Sequence, residues 1–332
     1  MISRRSLLGT AAGAAVVTGF PYVARGAPIV MKLPHATAEV HPGHISAVLF
    51  KQELEKRLPG KVTVQIFPNR QLGDDRQNLE SVMAGTTELG LASTVLVPLV
   101  AKRISFDAWQ LPFLIRDYDH FYRLTQTPIA QKILDDLEPA GLVGLAVKDI
   151  GQRHFLSTTR AVKSTADFHG LKTRIVPVPL HKDIWEAVGT NPIGLPYGEV
   201  YSALQTKVID AVEINVSSIL GENLWEVGKH LTLTGHYPWP SLIAANKPFF
   251  DRQPPEVQQA LREAGRACIK GTLDYAKKQD HEARKDLQAK GVQIHELSDL
   301  AAMKQKMRPI LDKWAQRSPL IAEFIKTAEA TS

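Results

Sequence analysis

After Pro255 the chain runs to Lys290 without another proline, and Val257, Leu261, Ala264, Ile269, Leu273 and Ala276 recur along it at helical spacing. At a rise of about 1.5 Å per residue, a helix of that length would reach about 50 Å, more than the diameter of one small domain. The run therefore predicts a helix that spans two domains. Gly265 and Gly271 keep a second reading open, two shorter helices with a break, because glycine costs up to about 1 kcal/mol in a helix interior. A chain of 332 residues is long enough for two units, at roughly 150 residues each.

Charge and cysteine content narrow the function classes. The net charge is +6, but Arg4, Arg5 and Arg25 carry half of it and no acid precedes Glu39. The rest is too weak, and too scattered, for a nucleic-acid footprint. Cys268 is the single cysteine, so no internal disulfide or multi-cysteine metal site can form, and its place on the apolar side of the long run reads as a buried structural thiol.

Residues 1–26 read as an export signal: a basic start, an apolar run from Leu7 to Val23, and small residues at Ala24 and Gly26. Ser3-Arg4-Arg5-Ser6-Leu7-Leu8 is similar to the twin-arginine pattern, with Leu where that pattern usually has Phe. An ordinary secretory signal is the other reading. The run falls short of the roughly 20 apolar residues of a membrane-spanning helix, so the mature chain is expected not to be membrane-inserted.

The mature chain opens with a strand at Pro28–Pro34, a helix at His44–Leu58, a strand at Val62–Ile66, a helix from Gly73 to Ala84 and a strand at Glu88–Ala92. That order predicts an α/β domain with a largely parallel sheet. Further strands are expected at Leu142–Val147, Leu171–Val176, Val208–Glu213 and Val292–Leu297, with helices at 118–137, 181–188 and 198–206.

Catalytic and cofactor motifs are absent: there is no G-x-S-x-G, G-x-G-x-x-G, G-x-x-x-x-G-K or H-E-x-x-H. His35, His41 and His44, with Glu39 between, straddle a Pro42-Gly43 turn; they read as loop or cap histidines, with a metal site as the lesser alternative. Two arginines stand out. Arg174 lies near the end of the Leu171–Val176 strand and Arg153 follows Gly151 just after the Leu142–Val147 strand. Strand ends are where open α/β sheets bind ligands, and a guanidinium there can hold a carboxylate through two parallel hydrogen bonds. An internal salt bridge or a solvated edge arginine is the plainer alternative for each.

Six segments in order, Phe67–Gly73 (FPNRQLG), Leu111–Leu114 (LPFL), Gly151–Phe155 (GQRHF), Gly170–Pro177 (GLKTRIVP), Pro196–Gln205 (PYGEVYSALQ) and Trp225–His236 (WEVGKHLTLTGH), carry a resemblance. Together they resemble the solute-binding proteins of tripartite ATP-independent periplasmic (TRAP) transporters, of the C4-dicarboxylate-binding type. The resemblance implies a two-domain α/β clamshell of the periplasmic-binding-protein kind, with discontinuous domains, hinge strands and a long domain-spanning helix. Its domains would hold 27–150 with about 240–280, and 151–239 with about 281–315, leaving 316–332 as a C-terminal helix or tail. Arg174 matches the family's carboxylate-binding arginine and Arg153 the second arginine often found with it. Tyr197 matches an aromatic that packs on the ligand. Asn215 would match the second of a doubled asparagine found in some relatives, since Ile214 occupies the usual position beside Glu213. Ser93 and Thr94 are polar candidates from the first domain. Among the tryptophans Trp185 is the best placed to stack on a ligand, with core packing the plainer reading.

The function so implied is a periplasmic receptor, in a Gram-negative bacterium, that captures a small organic acid and delivers it to TRAP membrane permease subunits. It would act as a monomer and not as an enzyme, with no cofactor or metal. An exported enzyme acting on an organic acid, and a receptor for an ATP-driven importer or a sensor, are the alternatives. Dicarboxylates, sugar acids, keto acids and aromatic acids all stay open as the solute.

Overall fold

The computed structural model describes residues 27–331, so the expected export signal lies outside the described residues. The strands run β1 (Ile29–Pro34), β2 (Val62–Phe67), β3 (Leu89–Ser93), β4 (Leu142–Ser157), β5 (Lys172–Ile175), β6 (Asn191–Gly194), β7 (Ala211–Asn215), β8 (His230–Leu233), β9 (Pro238–Asn246) and β10 (Gln293–Glu296). They form two lobes. In the first, β1 and β2 pair in parallel, while β3 and the first part of β4 flank β9 in antiparallel register. In the second, the order is β10-β8-β4-β7-β5-β6, with β5, β6 and β7 mutually parallel.

β4 belongs to both lobes. Its residues Leu142–Gln152 pair with β9, and Arg153–Ser157 pair with β7. The change of partner follows a bulge between Asp149 and Gln152, and Gly151 there adopts φ 144°. A Cβ at Gly151 would lie 2.6 Å from Asn215 Nδ2, so both the backbone angle and the close approach require glycine.

Local chemistry sets the helices that lead to the cleft. α1 (Pro42–Arg57) starts at His41, whose Nδ1 accepts the Gly43 N–H at 2.9 Å. α2 (Asp75–Ala84) starts with a reciprocal cap: the Gln77 N–H donates to Asp74 Oδ1, and the Asp74 N–H donates back to Gln77 Oε1. The proline-free run is one unbroken helix, Pro255–Ala289, packed on α1 and β4 and reaching the second lobe at the helix Val216–Gly221 and at β10. Gly265 does not break it. A Cβ there would sit 2.3 Å from the Leu145 carbonyl oxygen, so the glycine lets the helix lie directly on β4. The C-terminal helix Pro319–Thr331 folds back on the first lobe, where Phe324 meets Trp109 edge-on at 4.7 Å.

Several expectations change. The first lobe's sheet is not largely parallel, because β3 takes its only strand partner from β9. Pro238 and Pro240 hid β9 from a reading by propensity, yet they sit at its start, opposite the β4 bulge, where ladder hydrogen bonds are already irregular. The Leu142–Val147 strand continues to Ser157. Its polar continuation, Lys148 and Asp149, looks like a loop but is fully buried, so Arg153 lies inside a strand and not after its end. The 118–137 helix divides into Tyr118–Thr125 and Pro128–Asp135, since Pro128 has no N–H for the preceding turn. The 198–206 helix is a tight turn at Tyr197–Glu199 followed by Val200–Gln205, β7 starts at Ala211, and β6 and β8 went unread.

Candidate functional site

A cavity of about 140 Å³ lies between the lobes. The first lobe contributes His41, the start of α2 at Asp74 and Asp75, and Ser93 at the end of β3; the second contributes Arg153, Arg174, Tyr197 and Ser218. Because β5, β6 and β7 are parallel, their C-terminal ends open together on this cleft, and Arg174, the Leu195–Tyr197 segment and Ser218 all follow from that one edge. Trp239, at the hinge end of β9, completes the wall.

The two arginines are equally buried, each 2% exposed, but differently matched. Arg153 Nε donates to Glu213 Oε2 at 2.6 Å, its Nη2 donates to the Glu213 carbonyl, and its guanidinium stacks on Trp239 with 3.8 Å from Cζ to the ring centroid. Arg174 Nε and Nη2 both donate to the Leu195 carbonyl, at 3.0 and 2.8 Å, and among the described residues no carboxylate lies within ion-pair distance. Burial pushes Arg174 down to about 10. It is a desolvated cation lacking a counter-ion, an arrangement that costs free energy unless an anion arrives.

Glu213 anchors the network behind Arg153. Burial acts to raise its pKa, but the Arg153 guanidinium holds it well below the ordinary glutamate range. The Tyr237 hydroxyl donates to Glu213 Oε2 at 2.9 Å, while His181 and His236 stand 3.7 and 3.8 Å from the carboxylate, beyond hydrogen-bond reach. Burial keeps both imidazoles neutral.

Contacts also tie the lobes together across the cavity. With His41 Nδ1 accepting from Gly43, the ring proton belongs on Nε2, 3.2 Å from Ser218 Oγ. Arg70, in the loop after β2, grips Glu222 through Nη1 and Nη2 at 3.0 and 2.9 Å, and its guanidinium lies 5.4 Å from the centroid of Tyr197.

The structure thus brings Arg153, Arg174, Tyr197 and Ser93 to one cleft. Asn215 sits behind the wall, opposite Arg153 in the β4–β7 register, with its Nδ2 donating to Ser217 Oγ at 2.8 Å and to the Ile150 carbonyl at 3.2 Å. Thr94 is off the wall; its hydroxyl donates to the Pro240 carbonyl. Trp185 is a core residue, packed with Phe155, Phe168 and His236. Asp75 and Ser218 escaped sequence reading, while His41 was read as a loop or cap histidine and Trp239, like the other tryptophans, as core packing before ligand stacking. The paired acid after FPNRQLG was the one local signal, for Asp75. Cys268 is buried, and burial raises its thiol to about 11. His35 and His44 bond each other at 3.0 Å, and among the described residues no group of three or more His, Cys, Asp or Glu is placed to hold a metal ion.

The sequence matches the DctP family, described as bacterial extracellular solute-binding protein, family 7, over residues 33–317. The chain belongs to that family. DctP relatives include a solute-binding protein of Verminephrobacter eiseniae, 33% identical over 86% of this chain and 84% of its own length. The C4-dicarboxylate-binding periplasmic protein DctP of Rhodobacter capsulatus is 30% identical over 100% of this chain and 99% of its own. Among solved structures, a TRAP periplasmic solute-binding protein of Bradyrhizobium in complex with galacturonate is 28% identical, with a TM-score of 0.85 over 90% of this chain and 99% of that one. The chain is accordingly a DctP-family solute-binding protein with the two-domain fold of TRAP receptors.

Proposed function

We propose that this protein captures a small organic acid between its lobes and delivers it to a TRAP-type membrane permease. The observation that carries the reading is Arg174, a buried guanidinium on the cleft wall with which, among the described residues, no carboxylate pairs. The named acids of the relatives, a C4-dicarboxylate and galacturonate, share the carboxylate such a fork would grip. Arg153, stacked on Trp239, is the second donor, and Tyr197 packs on the solute. We take residues 27–150 with about 240–280, and 151–239 with about 281–315, as the two units that close on it, with 316–332 as a tail on the first.

Periplasmic action as an exported monomer belongs to the same proposal; relatives are named periplasmic, and among the described residues no helix is long and apolar enough to cross a membrane. A charge-assisted hydrogen bond contributes about 1.5–3 kcal/mol net, whereas micromolar affinity needs about 8 kcal/mol. Closure, aromatic packing and further polar contacts must therefore supply most of the affinity. Mass spectrometry of solute carried through purification, followed by calorimetry with that compound, tests the reading. A bound organic acid recovered chemically unchanged supports it; a neutral or cationic solute, or turnover of the acid, refutes it.

A further inference from the structure

Building on the organic-acid reading, we infer that the cleft is charge-matched to a hydroxylated monocarboxylate and turns away an acid carrying a second carboxylate, with Asp75 as the selecting residue. On the second-lobe wall Glu213 already neutralises Arg153, so among the described residues lining the cavity Arg174 is the buried cation with a charge left to satisfy. One ligand carboxylate matches it.

Among the described residues the first-lobe wall holds no buried cation for a second carboxylate. Asp75 lies on it, with Oδ2 fixed by the Ser93 N–H at 3.0 Å. Beside it the Ser93 hydroxyl is buried and has no hydrogen-bond partner among the described residues. The N-terminus of α2 would otherwise attract an anion, but the Asp74 carboxylate already occupies it, accepting from the Gln77 N–H at 3.0 Å. His41 is neutral, because burial pushes it down to about 3. Arg76, the remaining cation on this wall, is exposed, and its Nε donates to Glu80 at 2.8 Å. A hydroxyl arriving here can donate to Asp75 and pair with Ser93, whereas a carboxylate would meet two acids and an acceptor already in use.

Two pairs of acids differ only in a terminal hydroxymethyl against a carboxylate: galactonate with galactarate, and erythronate with meso-tartrate. Calorimetry at pH 7.5 with the full mature protein should show the monoacid of at least one pair binding about a hundredfold tighter than its diacid, the size expected of a like-charge clash. Asp75→Asn should narrow that ratio at least about tenfold, by weakening the monoacid and strengthening the diacid. Ser93→Ala, a second variant that leaves the charge alone, should weaken the monoacid and leave the diacid unhelped. Equal or tighter binding of the diacids, or an unchanged ratio in Asp75→Asn with native melting behaviour, overturns the inference. If the diacids bind and Arg174→Ala abolishes that binding, the organic-acid reading stands while this selectivity falls; if none of the four acids binds, this inference falls, and the organic-acid reading is judged by the solute recovered through purification.

Discussion

Arg153 and Glu213 form an ion pair, 2.6 Å from Nε to Oε2, with side chains 3% and 0% exposed. The pair joins β4, the strand shared by both lobes, to β7. It fixes the position of the guanidinium that faces the cleft while cancelling its charge. Arg174, one strand beyond β7, is held only by the Leu195 carbonyl, and among the described residues no carboxylate pairs with it.

Removing one partner of that pair strands the other in the core. Glu213→Ala should cost about 3–5 kcal/mol of folding stability, measured by urea unfolding. The double variant Arg153→Met with Glu213→Leu should recover much of that loss, because replacing both charges by apolar groups avoids desolvation, but it should bind solute poorly. A Glu213→Ala protein as stable as the parent would show that the pair adds nothing.

Arg174 should behave in the opposite way. Arg174→Ala removes a buried cation with no acid partner in the protein, so melting of the solute-free protein should hold or rise. Solute affinity should fall by about 3–5 kcal/mol, more than about a hundredfold, as the ligand carboxylate loses its counter-charge. Arg174→Lys should also weaken binding, since an ammonium cannot reproduce the fork. Calorimetry showing near-unchanged affinity in Arg174→Ala would remove this residue from the site.

The two acids also differ in pH response. Glu213 is held below its ordinary range, so its contribution to stability is complete above about 4.3, the unfolded glutamate value, and is lost as pH falls below that toward the folded value. Asp75 has the reverse sign: burial raises it from 3.8 to about 6, so its ionised form destabilises the fold and the penalty disappears as pH falls through that window. Solute-free Asp75→Asn should therefore unfold at higher urea than wild type at pH 8, with the difference gone by pH 3.8. A variant less stable than wild type at pH 8 would contradict this.

Arg70 and Glu222 link the lobes without lying on the cavity wall, their side chains 31% and 17% exposed. Arg70→Ala should loosen closure and weaken solute binding about two- to fivefold, the worth of a partly exposed bidentate pair. The effect should shrink at high salt. Small-angle scattering should show a larger radius for the solute-free variant than for wild type; identical affinity and radius would mean the pair holds nothing closed.

Much of the fold was legible in the chain. The long helix announced itself through apolar spacing and the absence of proline, and α2 through its start at Gly73-Asp74, because a helix is built from contacts three or four residues apart. Strand pairing was less legible. β3 meets β9 across some 150 residues of chain, as in the Ser93–Ser241 register, and Pro238 and Pro240 masked a strand that only its partner makes possible. The site divided in the same way. Arg174 stood out because guanidinium chemistry, a strand end and a family motif coincided at one position, whereas Trp239 carried no local mark.

What the sequence determined by itself is what short-range chemistry dictates: the α/β class, the spanning helix, the resemblance to a solute-binding family and Arg174 as a candidate for a carboxylate. What the tertiary structure alone decided is which side chains share the cleft. Asp75, Ser93, Ser218 and Trp239 meet there because β4 changes partners at Gly151 and carries two sheets on one strand. Whether a buried arginine is spent on an internal acid or left for a ligand is likewise a long-range matter. Burial and charge pairing depend on every element that packs around a group, and no window of neighbouring residues contains them.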